Sequence, residues 1–121
     1  MANFEEVGKA FVNHYFNMFD SNQRANLRGL YQPQSMLTFE DGKFQGADAI
    51  VNKLTSLSFQ QVRHEVTTLE AQPTTGGGVL ILVCGQLVVD GESNALKFSQ
   101  VFNLLPANGN FFVANELFRF V

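Results

Sequence analysis

The chain has 121 residues, 45% of them hydrophobic and 16% charged, with a formal net charge of −3. That length suits one domain over 1–121 that buries roughly 60–70% of its unfolded surface without staples, and the hydrophobic share excludes a disordered chain. The acidic balance argues against a general nucleic-acid binder, which carries a basic patch, and against attachment to an anionic membrane surface. Cys84 is the only cysteine, so no internal disulfide can form. It ends the run Val79-Leu80-Ile81-Leu82-Val83-Cys84, where it reads as a small buried hydrophobe, and a lone thiol suits the cytosol or nucleus. The N-terminus lacks a basic region followed by an apolar stretch, so no signal peptide is expected, and no apolar run reaches the ~18 residues of a membrane span.

The first predicted element is an amphipathic helix over residues 3–19. Phe4, Val7, Phe11, Tyr15, Met18 and Phe19 recur at three- and four-residue spacing, and Asn3 with Glu6 forms a capping pair. Asp20-Ser21-Asn22 stops it and caps a shorter helix carrying Leu27, Leu30 and Tyr31, which Pro33 ends. Met36–Phe39 reads as a short strand and Asp41-Gly42 as a hairpin turn. Gly46 opens a third helix with Ala47, Ile50, Val51, Leu54 and Leu57 on its apolar side. Four strand-like runs follow at 59–71, 79–89, 97–105 and 111–120. They are separated by Pro73 with Gly76-Gly77-Gly78, by Asp90-Gly91, and by Pro106-Ala107-Asn108-Gly109. Helices first and a strand meander afterwards define an α+β fold, with three N-terminal helices on one side of a curved, mainly antiparallel sheet.

Both faces of that sheet read as apolar. Val79, Ile81, Val83, Leu87 and Val89 oppose Leu80, Leu82, Cys84 and Val88. Phe98, Phe102 and Leu104 oppose Val101 and Leu105, and Phe111, Val113 and Leu117 oppose Phe112, Ala114, Phe118 and Phe120. A solvated face would show polar alternation. Three short helices can cover one face only, so sheet-to-sheet homodimerisation is the simplest cover for the other, with a strongly coiled, self-covering sheet as the alternative.

Few residues offer chemistry. His14 lies off the apolar stripe of its helix and reads as a surface residue. His64 alternates with Val62 and Val66, which suits a hydrogen-bonded structural histidine. No His/Cys cluster has zinc spacing, no nucleophile elbow occurs, and Gly76-Gly77-Gly78 lacks the ending of a phosphate loop, so neither a metal nor a cofactor is expected. The acids Glu40, Asp41, Asp90 and Glu92 gather at two strand ends. They are either ordinary turn formers or an acidic rim around an apolar hollow, suited to a partner that offers Lys or Arg around an inserted aromatic. Cavity acid–base chemistry would need a carboxylate on the cavity floor, and none is expected in mid-strand among the apolar runs, where such a floor would lie. Glu116 is the nearest candidate and Tyr15 the nearest hydroxyl, and a structural hydrogen bond is the simpler role for Glu116.

Phe11-Val12-Asn13-His14-Tyr15-Phe16-Asn17-Met18-Phe19-Asp20, Met36-Leu37-Thr38-Phe39-Glu40, Phe44-Gln45-Gly46-Ala47 and Ile50–Gln60 follow one another in an ordered set. Gln72-Pro73, Gly85-Gln86-Leu87, Phe98-Ser99-Gln100-Val101-Phe102 and Asn115-Glu116-Leu117-Phe118-Arg119 continue it nearly end to end. This set resembles the nuclear transport factor 2 family. The resemblance implies a cone-shaped fold with an open hydrophobic cavity, a homodimer through the sheet, and no enzymatic activity. It implies a carrier that takes the GDP form of the small GTPase Ran into the nucleus by binding Phe-Gly repeats of nucleoporins, working between cytoplasm and nucleus at the pores of the nuclear envelope. By matching motif it implies GTPase binding by Glu40, Asp90, Glu92 and His64, repeat binding by Phe4, and a dimer face at Leu82, Val101 and Leu117. Phe4 and Phe39 stand where such proteins often carry Trp, and Gly91 interrupts the acidic loop between Asp90 and Glu92. The same fold also serves as a Phe-peptide-binding module and, in relatives such as ketosteroid isomerase, as a cavity enzyme.

Overall fold

The computed structural model describes residues 3–58, 61–91 and 93–121. Helix α1 runs Phe4–Asp20, and the Asn3 side chain accepts hydrogen bonds from the Glu5 and Glu6 amides at 2.7 and 3.0 Å. Two of the helix's orphan donors are thereby satisfied, and Glu5 and Glu6 sit where the helix dipole favours acids. Asn3→Ala is expected to cost about 1 kcal/mol in urea unfolding, the usual value of a lost N-cap.

The second helix is a 3₁₀ segment, Arg24–Leu30, shorter than the spacing predicts. Tyr31 is not its last residue but the first of strand β1, Tyr31–Phe39, and Pro33 lies inside that strand rather than closing a helix. The β1–β6 register shifts between Tyr31 and Met36, so Pro33 sits where the ladder is already interrupted and its missing N–H costs no bond. Strand β2, Gly42–Gln45, returns through the tight turn at Glu40-Asp41, and helix α2, Ala47–Thr55, buries Ile50, Val51 and Leu54. Leu57 follows that helix rather than belonging to it, and packs half-buried on the core.

Strands β3 (Val62–Thr74), β4 (Gly78–Val89), β5 (Leu96–Ala107) and β6 (Asn110–Phe120) complete a six-stranded sheet in the order β2-β1-β6-β5-β4-β3. All pairs are antiparallel except β1–β6, so the sheet is mixed. The start of the first predicted strand, residues 59 and 60, lies outside the described residues. Pro73 belongs to β3 instead of a turn; β3 is a sheet edge, where proline forfeits no ladder bond.

The inner face holds Val79, Ile81, Val83, Leu87, Val89, Phe98, Phe102 and Leu104, all buried with α1 and α2 in one core. Two bulges break the predicted alternation. The first, at Thr67, leaves Val66 in register with His64 but 43% exposed, and beyond it the half-buried positions shift to Leu69 and Ala71. Opposite it, a Cβ on Gly85 would run into the Glu65 backbone, so the close approach of β3 and β4 there needs glycine. The second bulge inserts Ala114 into β6, which turns Val113 inward (fully buried) while Leu117 stays outward at 49% exposure. On the outer face Leu82, Val101 and Leu117 stand in one cross-strand row, with Leu80 beside them. No helix among the described residues is long and apolar enough to cross a membrane.

Candidate functional site

Between the helices and the inner face lies a hollow lined by Tyr15 and Phe19 of α1, Phe39, Leu54 of α2, His64, Leu87, Gln100, Glu116 and Phe118. Its walls are aromatic: Phe39 stacks on Phe118 at 4.7 Å between ring centres, and Phe118 on Phe98 at 5.7 Å. The hollow is narrow, about 10 Å³, on the order of one water. An aromatic side chain therefore enters only if walls such as Phe39 turn aside.

The floor is polar. Glu116 is 1% exposed in mid-strand, and its carboxyl group meets the Tyr31 hydroxyl at 2.6 Å, the Tyr15 hydroxyl at 2.9 Å and the Gln100 amide nitrogen at 2.7 Å. A carboxyl group thus does sit in mid-strand on the cavity floor, against the expectation that none does. The signal was present in the sequence: Glu116 shares its parity in β6 with Phe118 and Phe120, and Gln100 lies between the inward Phe98 and Phe102. Burial raises the carboxyl above its usual range, while its three donors pull it back. Burial, and then the neighbouring Glu116 charge, raise both tyrosines well above theirs.

The predicted acids Glu40 and Asp90 do not line the hollow: Glu40 directly follows the lining residue Phe39 at the end of β1, and Asp90 follows the last residue of β4, the strand that carries the lining residue Leu87. Both are in the left-handed region, at φ 55° and 50°, as tight turns at strand ends demand. Each also holds backbone: Glu40 Oε1 accepts from the Phe120 amide at 2.5 Å, and Asp90 Oδ1 from the Gln61 amide at 2.9 Å. Arg119 approaches Glu40 Oε2 at 3.9 Å and Asp41 at 3.4 Å. Lys53 lies over the Phe39 and Phe44 rings at 5.3 and 5.6 Å. Glu92 falls outside the described residues.

His64 is a hydrogen-bonded structural histidine, as its alternation with Val62 and Val66 suggests, and it also lines the hollow. Its ring stacks on Phe16 at 3.8 Å, its Nδ1 meets Asp20 Oδ1 at 2.6 Å, and its amide donates to Asp20 Oδ2 at 2.9 Å. Asp20 thus fixes the ring at the wall of the hollow. Arg24 packs 4.4 Å above the Phe19 ring; burial lowers its basicity, and Asp20 and Asp90 oppose that shift. Phe4 packs half-buried against the core from the first turn of α1. His14 is exposed, as its place on the helix predicts. Among the described residues no cluster of His, Cys, Asp and Glu is arranged to hold a metal.

Helices folded against one face of a curved mixed sheet, around a hollow open between them, define the cone-shaped α+β class. The nuclear transport factor 2 domain matches residues 7–120. The chain is 49% identical over 119 residues to nuclear transport factor 2 of Candida albicans, covering 98% of this chain and 95% of that one. It is 52% identical over 117 residues to nuclear transport factor 2B of Arabidopsis thaliana, covering 95% and 92%. The solved structure of nuclear transport factor 2 from Cryptosporidium parvum superposes with a TM-score of 0.92 at 50% identity, covering 98% of this chain and 94% of that one. The chain belongs to the nuclear transport factor 2 family, and nucleocytoplasmic transport is the process in which it acts.

Proposed function

We propose that the chain is a homodimeric import carrier for the GDP form of Ran, moving between cytoplasm and nucleus through pore complexes by binding Phe-Gly nucleoporin repeats. The observation that carries this reading is the aromatic hollow, with Glu40 and Asp90 just past the ends of the strands that carry its lining residues Phe39 and Leu87. An aromatic anchor from the GTPase enters between Phe39 and Phe118, and its basic neighbours pair with Glu40, Asp90 and Glu92, with His64 as a wall. Such an anchor, ringed by charge pairs, reports nucleotide state because the switch segment that carries it moves with the nucleotide. Phe4 takes repeats through weak contacts, which a dimer multiplies. The dimer closes through Leu82, Val101 and Leu117, the apolar row that this chain's own helices leave uncovered.

Glu40 allows a clean test. Glu40→Gln keeps an acceptor for the Phe120 amide and removes the charge, whereas Glu40→Lys reverses it. Calorimetry with GDP-loaded Ran is expected to show roughly tenfold weaker binding for Gln and hundredfold or more for Lys, since close interfacial charge pairs couple by about 1.5–7 kcal/mol. Unchanged affinity in both variants would remove Glu40 from the interface.

Glu116 and Tyr15 supply the carboxyl and hydroxyl that a cavity enzyme of this fold would need, and this observation is what favours that second reading. The carrier reading is preferred because both groups are spent on each other and the hollow beside them holds about 10 Å³. Turnover of a small ketone that is lost on Glu116→Gln would reverse the preference.

A further inference from the structure

The geometry points to a proton stored beneath the hollow: Glu116 is a neutral carboxylic acid at physiological pH, closing a ring of hydrogen bonds with Tyr15 and Tyr31. Three groups, two hydroxyls and one carboxyl, form a closed ring, with Tyr31 to Glu116 Oε1 at 2.6 Å, Tyr15 to Glu116 Oε2 at 2.9 Å, and the two hydroxyls 3.0 Å apart. Each edge needs one hydrogen, and two phenols supply only two. With an ionised carboxylate, one edge becomes a lone-pair contact in a buried site, which costs free energy. A proton on Oε1 fills all three edges at once. Glu116 then donates to Tyr31, Tyr31 donates to Tyr15, and Tyr15 donates to Oε2.

The surroundings favour the same state. Gln100 donates its Nε2 to Oε2 and leaves its own Oε1 as a buried acceptor without a partner, so the floor is short of hydrogens rather than acceptors. No cation among the described residues pairs with Glu116. Tyr15 faces it from α1, Tyr31 from β1 and Gln100 from β5. His64 of β3 is committed to Asp20, and Arg24 of the 3₁₀ helix lies over Phe19 in the field of Asp20 and Asp90. Burial disfavours the charged form, which agrees with the hydrogen count.

Glu116 is thus a positioning residue that holds two tyrosines and keeps the floor uncharged. This consequence rests on the carrier reading: an uncharged floor admits a neutral aromatic anchor, whereas a carboxylate there would draw in the tip of a Lys or Arg instead.

The test uses the isolated chain, so its outcome is separate from whether any GTPase binds. Glu116→Gln places an amide N–H where the acid O–H sits and can close the same ring. The native state holds a proton that the unfolded chain releases above about pH 4.3. Wild-type stability therefore falls as pH rises from that value towards the folded-state value. Urea unfolding from pH 5 to 7 should show the wild-type unfolding constant rising about tenfold per pH unit relative to Glu116→Gln, with the variant at least as stable at pH 7. Parallel pH profiles with a weakened variant would overturn the proposal. A second readout needs no variant. In the ¹³C spectrum of wild-type protein at pH 7, one glutamate carboxyl should resonate at the protonated position, and finding every one at the ionised position would equally overturn it.

Discussion

A Leu82→Arg chain is expected to run as a monomer. Leu82 pairs with Val101 and Val101 with Leu117, so the three side chains form a continuous row across β4, β5 and β6 on the uncovered face of the sheet. In a two-fold dimer each substitution enters the interface twice. Two guanidinium groups would then lie in an apolar contact, with the cross-strand neighbour Glu70 the one acid directly beside each, and taking a charge out of water costs several kcal/mol. The dimer dissociation constant should rise at least about a thousandfold, equivalent to about 4 kcal/mol. Sedimentation equilibrium reads the change directly. Because Leu82 is 40% exposed within the chain, the protomer's circular dichroism should be unaltered. A dimer of undiminished affinity would place the interface elsewhere.

Phe102→Ala should instead damage the protomer. Phe102 is fully buried and meets the rings of Phe11 and Tyr15 edge-on, each at 5.0 Å between centres. Truncation removes the side chain's burial and leaves a cavity beneath α1, a combination that costs about 3–5 kcal/mol in well-packed cores. A loss of this size would also loosen Tyr15, and with it the hydrogen-bonded floor. Urea unfolding with a cost below about 1 kcal/mol would mean that α1 collapses onto the gap.

Much of this fold was legible in the sequence because its helices and strands keep strict periods. The alternation of β4 predicts its buried face, the α1 stripe finds the buried Tyr15 and Phe19 but not Val12 and Phe16, and the surplus of apolar residues on the second face anticipates Leu80, Leu82 and Leu117. What escaped was everything that breaks a period. The bulges at Thr67 and Ala114 shift parity by one residue, which moves every side chain beyond them to the other face. A single strand carries no sign of such an insertion, since the extra residue is defined only by its partner strand. Pro33 and Pro73 were read as stops because proline usually is one. At an edge strand and at a register shift, the tertiary setting removes the penalty that makes it so.

The site divided along the same line. Glu40, Asp90 and His64 are candidates through turn position, alternation and family resemblance, and the structure puts His64 on the wall of the hollow, Glu40 next to the lining residue Phe39, and Asp90 just past the end of β4. Their second duties as backbone clamps were not visible, because these depend on Phe120 and Gln61 arriving from distant parts of the chain. The Glu116 ring joins residues 15, 31, 100 and 116 from four elements, so only the folded chain assembles it. The division has a consequence for experiment. Charge-reversing substitutions at Glu40 or Asp90 change both the partner surface and a backbone contact, and only an isosteric amide separates the two.

The most direct measurement is a pair of calorimetric titrations of the protein with Ran, one loaded with GDP and one with a GTP analogue. Binding confined to the GDP form is the expected result. Binding to neither form, with Phe-Gly peptide binding retained, would contradict the carrier reading and leave a Phe-peptide-binding dimer of the same fold.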